Sequence, residues 1–577
     1  MRTVRVAWIT AVVLVAAALA VPQGPPTFGV SADLVMIDMI ATDSDGRSVA
    51  DLRADEIEVF EDGKAQRVEF ARYVTAGGRA PETSPVSPAT PAPSRPAAAA
   101  EAEPLRPEPL SLVAMVDVAT MPHDALTRTR QAIIQMVRGE LEEGTRLMLV
   151  SVNRGVEVRQ TFTDDVERFV AAVENLPSPA IEAEAALSTL IDDVVEGCEA
   201  LQGTPAANTP AGVQNAITAA RGWVENAKLG MTASLEGMGA LARYLSSLPG
   251  RKHVVFYSGG YAMDPSAIAL RVMEDVCVTT PAGSGFNPIR AELQTAVRTT
   301  QNVDSSGMLH VLLDEANRAQ VSVYTVDARG LVGDVAPARA RATVRLTARG
   351  TLQEVLQRHI REPQDILYSI ANGTGGTTSI NTNELARGMR AAARDARGYY
   401  LVAYAPAGAR KEGRFYPLNL KVKRPGLHLR YRRGYEWLSE AKRSERAVTA
   451  ALRFPGLYAE NGLALDVWME GGRLHVAAII PTRSLTFRAE AGEHRNEITL
   501  LGLLRDEQGR PVGERYLFSK TVNMKLPQAR YEDLLTRDNV EIANEADPPK
   551  PGRYQVAVVA RHSGGRLASS TIDLTVP

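Results

Sequence analysis

The run Leu112–Val116 (LVAMV) is apolar at odd and even positions alike and ends on Asp117. A strand that is apolar on both sides suits a parallel sheet covered by helices on each face. Open α/β sheets bind their ligands at the carboxyl ends of such strands. A carboxylate delivered there can hold a hard cation or receive a partner's donor, and it can equally cap the turn that follows. Two further apolar runs end in the same manner. His253–Tyr257 leads into Ser258-Gly259-Gly260, and Val321–Asp327 leads into Ala328-Arg329-Gly330-Leu331.

The sequence carries none of the common catalytic motifs. GxSxG, HExxH and GxxxxGK[ST] do not occur, and the eight histidines are scattered. His253 opens a buried strand and reads as structural; Tyr399-Tyr400 reads as strand packing. Asp43, Asp45 and Asp51 lack the spacing of an EF-hand loop. Asn372-Gly373-Thr374 matches a glycosylation sequon. Cys198 and Cys277 are too few to make a metal site. They form either one disulfide, as an oxidising compartment allows, or two free thiols.

The elements that must position these residues follow from periodicity. Leu34–Thr42, Ile57–Glu61 and Arg67–Tyr73 read as strands, with Asp62-Gly63 as a tight turn, and set out a small β module over 27–76. Residues 77–109 are dense in Pro, Ala and Ser and read as an extended linker. From 110 to 435 strands alternate with helices, which predicts a doubly wound sheet with helices on both faces. Within it, Asp164 is expected to cap a helix reaching Leu176. About 177–230 reads as an Ala-rich helical insertion, and Thr232–Leu248 as a separate amphipathic helix. Tyr399–Tyr404 should close the sheet, and Tyr416–Val422 with His428–Tyr435 should form a hairpin around Pro425-Gly426. After a charged helix near Ser439–Arg453, residues 445–577 carry six alternating strands and read as an antiparallel immunoglobulin-like sandwich. The fold class expected is thus multi-domain: a central α/β doubly wound domain between a small N-terminal β module and a C-terminal β-sandwich.

Composition bounds the partners. At 577 residues the chain has room for three or four domains, and 45% hydrophobic content supplies a core. A net charge of −2 argues against a broad basic face for nucleic acid. The local cluster Lys421, Lys423, Arg424, Arg430, Arg432 and Arg433 reads as the wet face of strands. Arg2 and Arg5 precede an apolar run to Leu19, and Ala18-Leu19-Ala20 has the small-x-small pattern of a cleavage site. Residues 1–20 are therefore expected to be a signal peptide, with an uncleaved anchor as the alternative. The run is shorter than the ~20 residues of a spanning helix, so the mature chain should carry no membrane span and be exported, periplasmic or secreted.

With these stretches in hand, the chain resembles the von Willebrand factor A-type (VWA) family, in particular VWA-related proteins widespread in acidobacteria. The resemblance rests on SDGRSVADLRADEIEVFEDGKAQRVEFARY, the strand ending at Asp117, and TFTDDVERFVAAVENL. It continues through LPGRKHVVFYSGG, ANRAQVSVYTVDARGL, ANGTGGTT, ARGYYLVAYAP and KVKRPGLHLRYRRGY, in the family's order over about Leu34–Tyr435. It implies a metal-ion-dependent adhesion site: Asp-x-Ser-x-Ser after the first strand, a loop threonine, and an aspartate after the fourth strand, together holding Mg²⁺. Asp117 matches the first acid. Ala119 and Met121 stand where the serines belong, on either side of Thr120, and Gly259 stands where an aspartate is expected. Thr232 would be the loop threonine, and Asp124 or Asp264 a substitute ligand.

The function expected is a non-catalytic, exported VWA protein that binds another protein or a cell-envelope component through a degenerate adhesion site, without a cofactor. The upper loops Asp117–Met121, Ser258–Tyr261 and Asp327–Leu331 would carry the binding. The alternatives are a purely structural assembly protein and a Mg²⁺-dependent adhesin using substitute ligands.

Overall fold

The computed structural model describes all residues except 1–33, 76–109, 142–144, 154, 179–186, 188, 195–209, 247, 249–251, 278–304, 332–349, 407, 491, 507–510, 514–516, 563–564 and 577. It opens with β1 (Val35–Thr42), β2 (Ile57–Glu61), β3 (Lys64–Gln66) and β4 (Val68–Thr75). The α/β stretch begins with β5 (Ser111–Asp117) and α1 (His123–Gly139), followed by β6 (Arg146–Val152), β7 (Val156–Thr163) and α2 (Val166–Glu174). Next come α3 (Pro210–Ser246), β8 (Lys252–Ser258), α4 (Pro265–Cys277), α5 (Ser305–Arg318) and β9 (Val321–Asp327). It ends with α6 (Gly350–Thr374), β10 (Thr378–Ser379) and α7 (Arg387–Arg397). These strands form one sheet in the order β10-β9-β8-β5-β6-β7, parallel except for β7.

Every residue of β5, β8 and β9 is buried, as an apolar run on both faces requires. One face, with Val113, Met115, Val254, Phe256 and Val323, packs on α3, α5 and α6. The other, with Leu112, Ala114, Val116, Val255 and Val326, packs on α1, α2 and α7. Each Val, Leu, Met or Phe side chain among these contributes about 1.5–3 kcal/mol by leaving water. The cap of α2 is Asp165 rather than Asp164, its Oδ1 accepting from Arg168 N at 3.0 Å.

Three expectations are corrected here. The strand β11 (Gly398–Tyr404) does not close the α/β sheet; it lies antiparallel between β1 and β4. The two arms around Pro425-Gly426 are not a hairpin. The first, β12 (Phe415–Val422), pairs with β2 and with β14 (Gly434–Glu436), whereas the second, β13 (His428–Tyr431), crosses over to pair with β1. Two four-stranded sheets, β13-β1-β11-β4 and β14-β12-β2-β3, thus face each other around Ile37, Met39, Val59, Tyr400, Val402, Tyr404 and Leu420. Finally, α3 is one continuous helix through both the expected insertion end and the expected later helix, so Thr232 sits in mid-helix and not in a loop.

Two of the basic side chains expected on a wet face are internal clamps instead. Arg430 forks onto Asp395 (2.6 and 2.8 Å), which also accepts from the Tyr324 hydroxyl at 2.8 Å. Arg432 donates to the carbonyls of Asn317 (2.5 Å) and Met36.

Beyond Ser439, whose hydroxyl caps α8 (Glu440–Arg453), the chain is mainly β. One sheet is β15 (Ala464–Glu470), β16 (Arg473–Pro481) and β20 (Asn539–Ala546); the other holds β17 (Arg488–Glu490), β18 (Glu493–Arg505), β21 (Gly552–His562) and β22 (Leu567–Val576), with β19 (Phe518–Pro527) on β18. Strand β20 and the helix α9 (Gln528–Leu535) are additions to the sequence reading. Val448 and Ala451 of α8, with Leu457 and Tyr458 after it, join Val559 and Leu567 to the core of the α/β layer. The protein is a mixed α/β, multi-sheet molecule. No described helix is long and apolar enough to cross a membrane. The expected signal peptide, the linker and Cys198 lie outside the described residues, as does the side chain of Cys277.

Candidate functional site

Strand β5 delivers Asp117 to the upper edge of the sheet, and the chain turns at once through a single 3-10 turn, Val118–Thr120. Strand β8 delivers Ser258 beside it. The Ser258 hydroxyl donates to Asp117 Oδ2 at 2.9 Å and accepts from Gly260 N at 2.9 Å. Ser234 of α3 donates to the same oxygen at 3.3 Å, and the Tyr261 hydroxyl contacts both that oxygen and Ser234 Oγ. Thr120 bonds back to the Asp117 carbonyl at 3.2 Å, lies 3.1 Å from Ser258 Oγ, and accepts from Gly259 N at 2.9 Å. Asp117 and Ser258 are wholly buried, and Ser234 and Tyr261 nearly so.

This arrangement is asymmetric. Three hydroxyls crowd Oδ2 of Asp117, whereas its buried Oδ1 has no hydrogen-bond partner among the described residues. Burial pushes the carboxyl up to about 7, while the hydroxyls of Ser258, Thr120 and Ser234 pull the other way. Desolvation wins over these hydrogen bonds, and no charged partner among the described residues contributes.

The loops that meet above Asp117 are close-packed through glycine. A Cβ on Gly259 would lie 2.3 Å from the Thr120 carbonyl oxygen. Gly260, at φ +77°, would place a Cβ 2.2 Å from the carbonyl oxygen of Pro363 in α6. Only glycine allows either approach. The position where an aspartate was expected therefore has no room for any side chain.

The other anticipated residues are distributed as follows. Ala119 is half-buried and offers no oxygen, and Met121 is fully buried in the core against α1. Thr232 points its hydroxyl at Met308 Sδ, 4.0 Å away, and takes no part. Asp124 pairs with Arg128, and Asp264 Oδ1 accepts from Ala267 N at 3.1 Å, so both substitute ligands are committed elsewhere. Asp327, at the end of β9, forms a separate knot. Arg329 holds it through Nε and Nη2 (2.9 Å each) and its backbone N–H (3.1 Å), and Gln364 Nε2 donates to it at 2.9 Å. The turn continues to Gly330 (φ +81°), and Leu331 N donates to Asn383 Oδ1 at 3.1 Å, leaving the Leu331 side chain 64% exposed.

Ser234 and Tyr261 were missed as members of the cluster. Ser234 had a readable signal, since it interrupts the buried stripe it shares with Leu235, Met238, Leu241 and Leu245. Tyr261 closes the Ser258–Tyr261 loop expected to carry binding, but nothing in that aperiodic loop marks its hydroxyl as a contact of Asp117. A Mg²⁺ site needs several oxygen ligands in near-octahedral array. Here one carboxylate is present, its better-placed oxygen already carries three hydroxyl contacts, and the described residues contain no group of three or more acidic, His or Cys side chains able to hold a metal. The donor set does not fit the ion.

No family model matches the chain, and no curated protein does. Among solved structures, a bacterial VWA protein from Catenulispora acidiphila is similar at 10% identity, covering 82% of this chain and 67% of that one, with a TM-score of 0.19. Three N-terminal domains of the type V pili tip protein Mfa5 from Porphyromonas gingivalis match at 10% identity over 94% of this chain and 76% of theirs, TM-score 0.22. A mutant of the PilB minor pilin from Streptococcus sanguinis matches at 10% identity over 50% of this chain, TM-score 0.24; the chain spans 61% of its length. These likenesses are weak, and the chemistry of the site rests on its own geometry.

Proposed function

We propose that this is an exported, non-catalytic binding protein of VWA type whose upper loops capture a protein or envelope component without a metal. The observation that carries the reading is the buried Asp117, gripped by Ser258, Ser234 and Tyr261 beneath two glycine contacts. Such a group touches no partner. Its role is to lock β5, β8 and α3 together so that the rim around them is rigid, which lowers the ordering cost of binding. Contact then falls to exposed rim residues, among them His123, Asp264 and Leu331. The acidobacterial affinity and the degenerate adhesion site belong to the same reading.

The test is retention of solubilised envelope material on the immobilised full chain. Retention should be equal in Mg²⁺ and in EDTA and should fall with Leu331→Asp, which leaves the fold intact. Retention that requires Mg²⁺ would support the metal-dependent adhesin, and retention indifferent to every rim variant would support the purely structural role.

A further inference from the structure

The arginines of α7 fall at 387, 390, 394 and 397, and steps of three, four and three keep them on one face of a helix. The opposite face, with Met389, Ala392 and Ala393, is buried against the α/β sheet. Asp395, the one acid of α7, is turned inward to Arg430. Arg390 is held by Glu140 (2.7 Å) and Glu384, whereas Arg387 and Arg397 are exposed and the Arg394 side chain is 60% exposed. The result is a basic ridge about 15 Å long.

The far sheet of the C-terminal sandwich carries the opposite charge. On the face of β15, β16 and β20 turned away from the sandwich core, Glu541, Asp466, Glu545 and Glu470 fall one to each cross-strand row. They alternate between β20 and β15, so carboxylates flank the central strand β16 on both sides at steps of about 7 Å. All four are exposed. Between the two files lie the small Ala477 and the stacked pair Trp468 and His475, with ring centroids 5.2 Å apart. Arg473, the one cation of these strands, bonds to Asp547.

These two surfaces are the outermost layers on opposite sides of the molecule. Helix α7 packs on the sheet face that holds Leu112 and Val255, whereas the sandwich joins the other face through Val559 and Leu567 of its nearer sheet. The acidic sheet lies beyond that one, across the sandwich core. A ridge therefore cannot reach the acidic face of its own molecule. We propose that copies of this chain associate head to tail, the α7 ridge of one lying along β16 of the next between its two files of carboxylates. Guanidinium forks match carboxylates in geometry and charge. A contact between two different surfaces leaves one of each free, so it propagates from copy to copy until a ring closes or a filament grows. It does not depend on the upper-loop reading.

Sedimentation velocity on the full chain is the test. The weight-average mass should rise with concentration at about 20 mM salt and return to that of a monomer at about 500 mM, where exposed charges are screened. Arg387→Glu with Arg394→Glu reverses the ridge, and Glu541→Arg with Glu545→Arg reverses the face. Each double variant alone should weaken association by about tenfold, with the melting temperature held because all four side chains are exposed. Mixed in equal amounts, the two should associate again, since each reversed surface meets its complement on the other protein. A monomer at every concentration in low salt, association that persists in high salt, or reversed variants that stay apart on mixing would each overturn the proposal.

Discussion

The Thr120 carbonyl oxygen stands 2.3 Å from where a Cβ on Gly259 would be. That single approach separates two accounts of the upper edge, because a VWA metal site requires an aspartate where this chain has packed backbone against backbone. The contact also ties the turn after β5 to the turn after β8, through the bond from Gly259 N to Thr120.

Gly259→Ala should therefore destabilise the fold, and Gly259→Asp should do so more. Overpacking of a close-packed site costs about 1–3 kcal/mol. Urea unfolding is the measurement. An alanine variant as stable as the parent would show that the loops yield, and with them the claim of a rigid rim.

Asp117 gives a pH signature. Its carboxyl sits at about 7 in the folded protein, held up chiefly by burial, against about 3.9 in an unfolded chain. The folded state binds the proton more tightly, so this contribution is complete below pH ~4 and is lost as pH rises through about 7, an amount on the order of 4 kcal/mol. Asp117→Asn keeps an acceptor for Ser258 and cannot ionise. Its stability relative to the parent should rise between pH 5 and pH 8; a constant difference across that range would contradict the assignment.

Glu61 carries the opposite sign. Burial raises its carboxyl, but the bonds from Arg410, Tyr404 and Tyr435 outweigh this and hold it below the ordinary glutamate range. Its contribution is present above about pH 4.3 and is lost as pH falls below that value. Glu61→Gln leaves the Arg410 guanidinium, itself 9% exposed, without its partner. The cost should be about 3 kcal/mol at neutral pH, with a shallower acid limb in the denaturation profile. An unchanged acid limb would remove Glu61 from the account.

The three fully buried strands were legible in the sequence because burial on both faces leaves an unbroken apolar run, and Asp117, Ser258 and Asp327 could be placed at their ends from that alone. Sheet membership was not legible. Gly398–Tyr404 has the composition of a core strand wherever it pairs, and only the three-dimensional register with Val35–Met39 and with Val68–Thr75 assigns it to another sheet. Arg430 and Arg432 looked solvated because alternation along a strand says which side a residue faces and not what lies there. Asp395 and the Met36 carbonyl, distant in sequence, supply their partners. Thr232 stands out only through the resemblance to a motif with a loop threonine, whereas Ser234, a polar residue breaking a buried helical stripe, is the one that reaches Asp117.

The central claim, a metal-free Asp117 cluster that stiffens the rim, is tested most directly by thermal denaturation of the full chain titrated with Mg²⁺, Mn²⁺ and Ca²⁺ against EDTA. An ion that binds only the folded state raises the melting temperature by mass action, at 100 times its Kd by about 2.7 kcal/mol of stability. The account predicts the same melting temperature in every ion and in EDTA. A saturable rise with any of the three that disappears in Asp117→Asn would contradict it and make Asp117 a metal ligand.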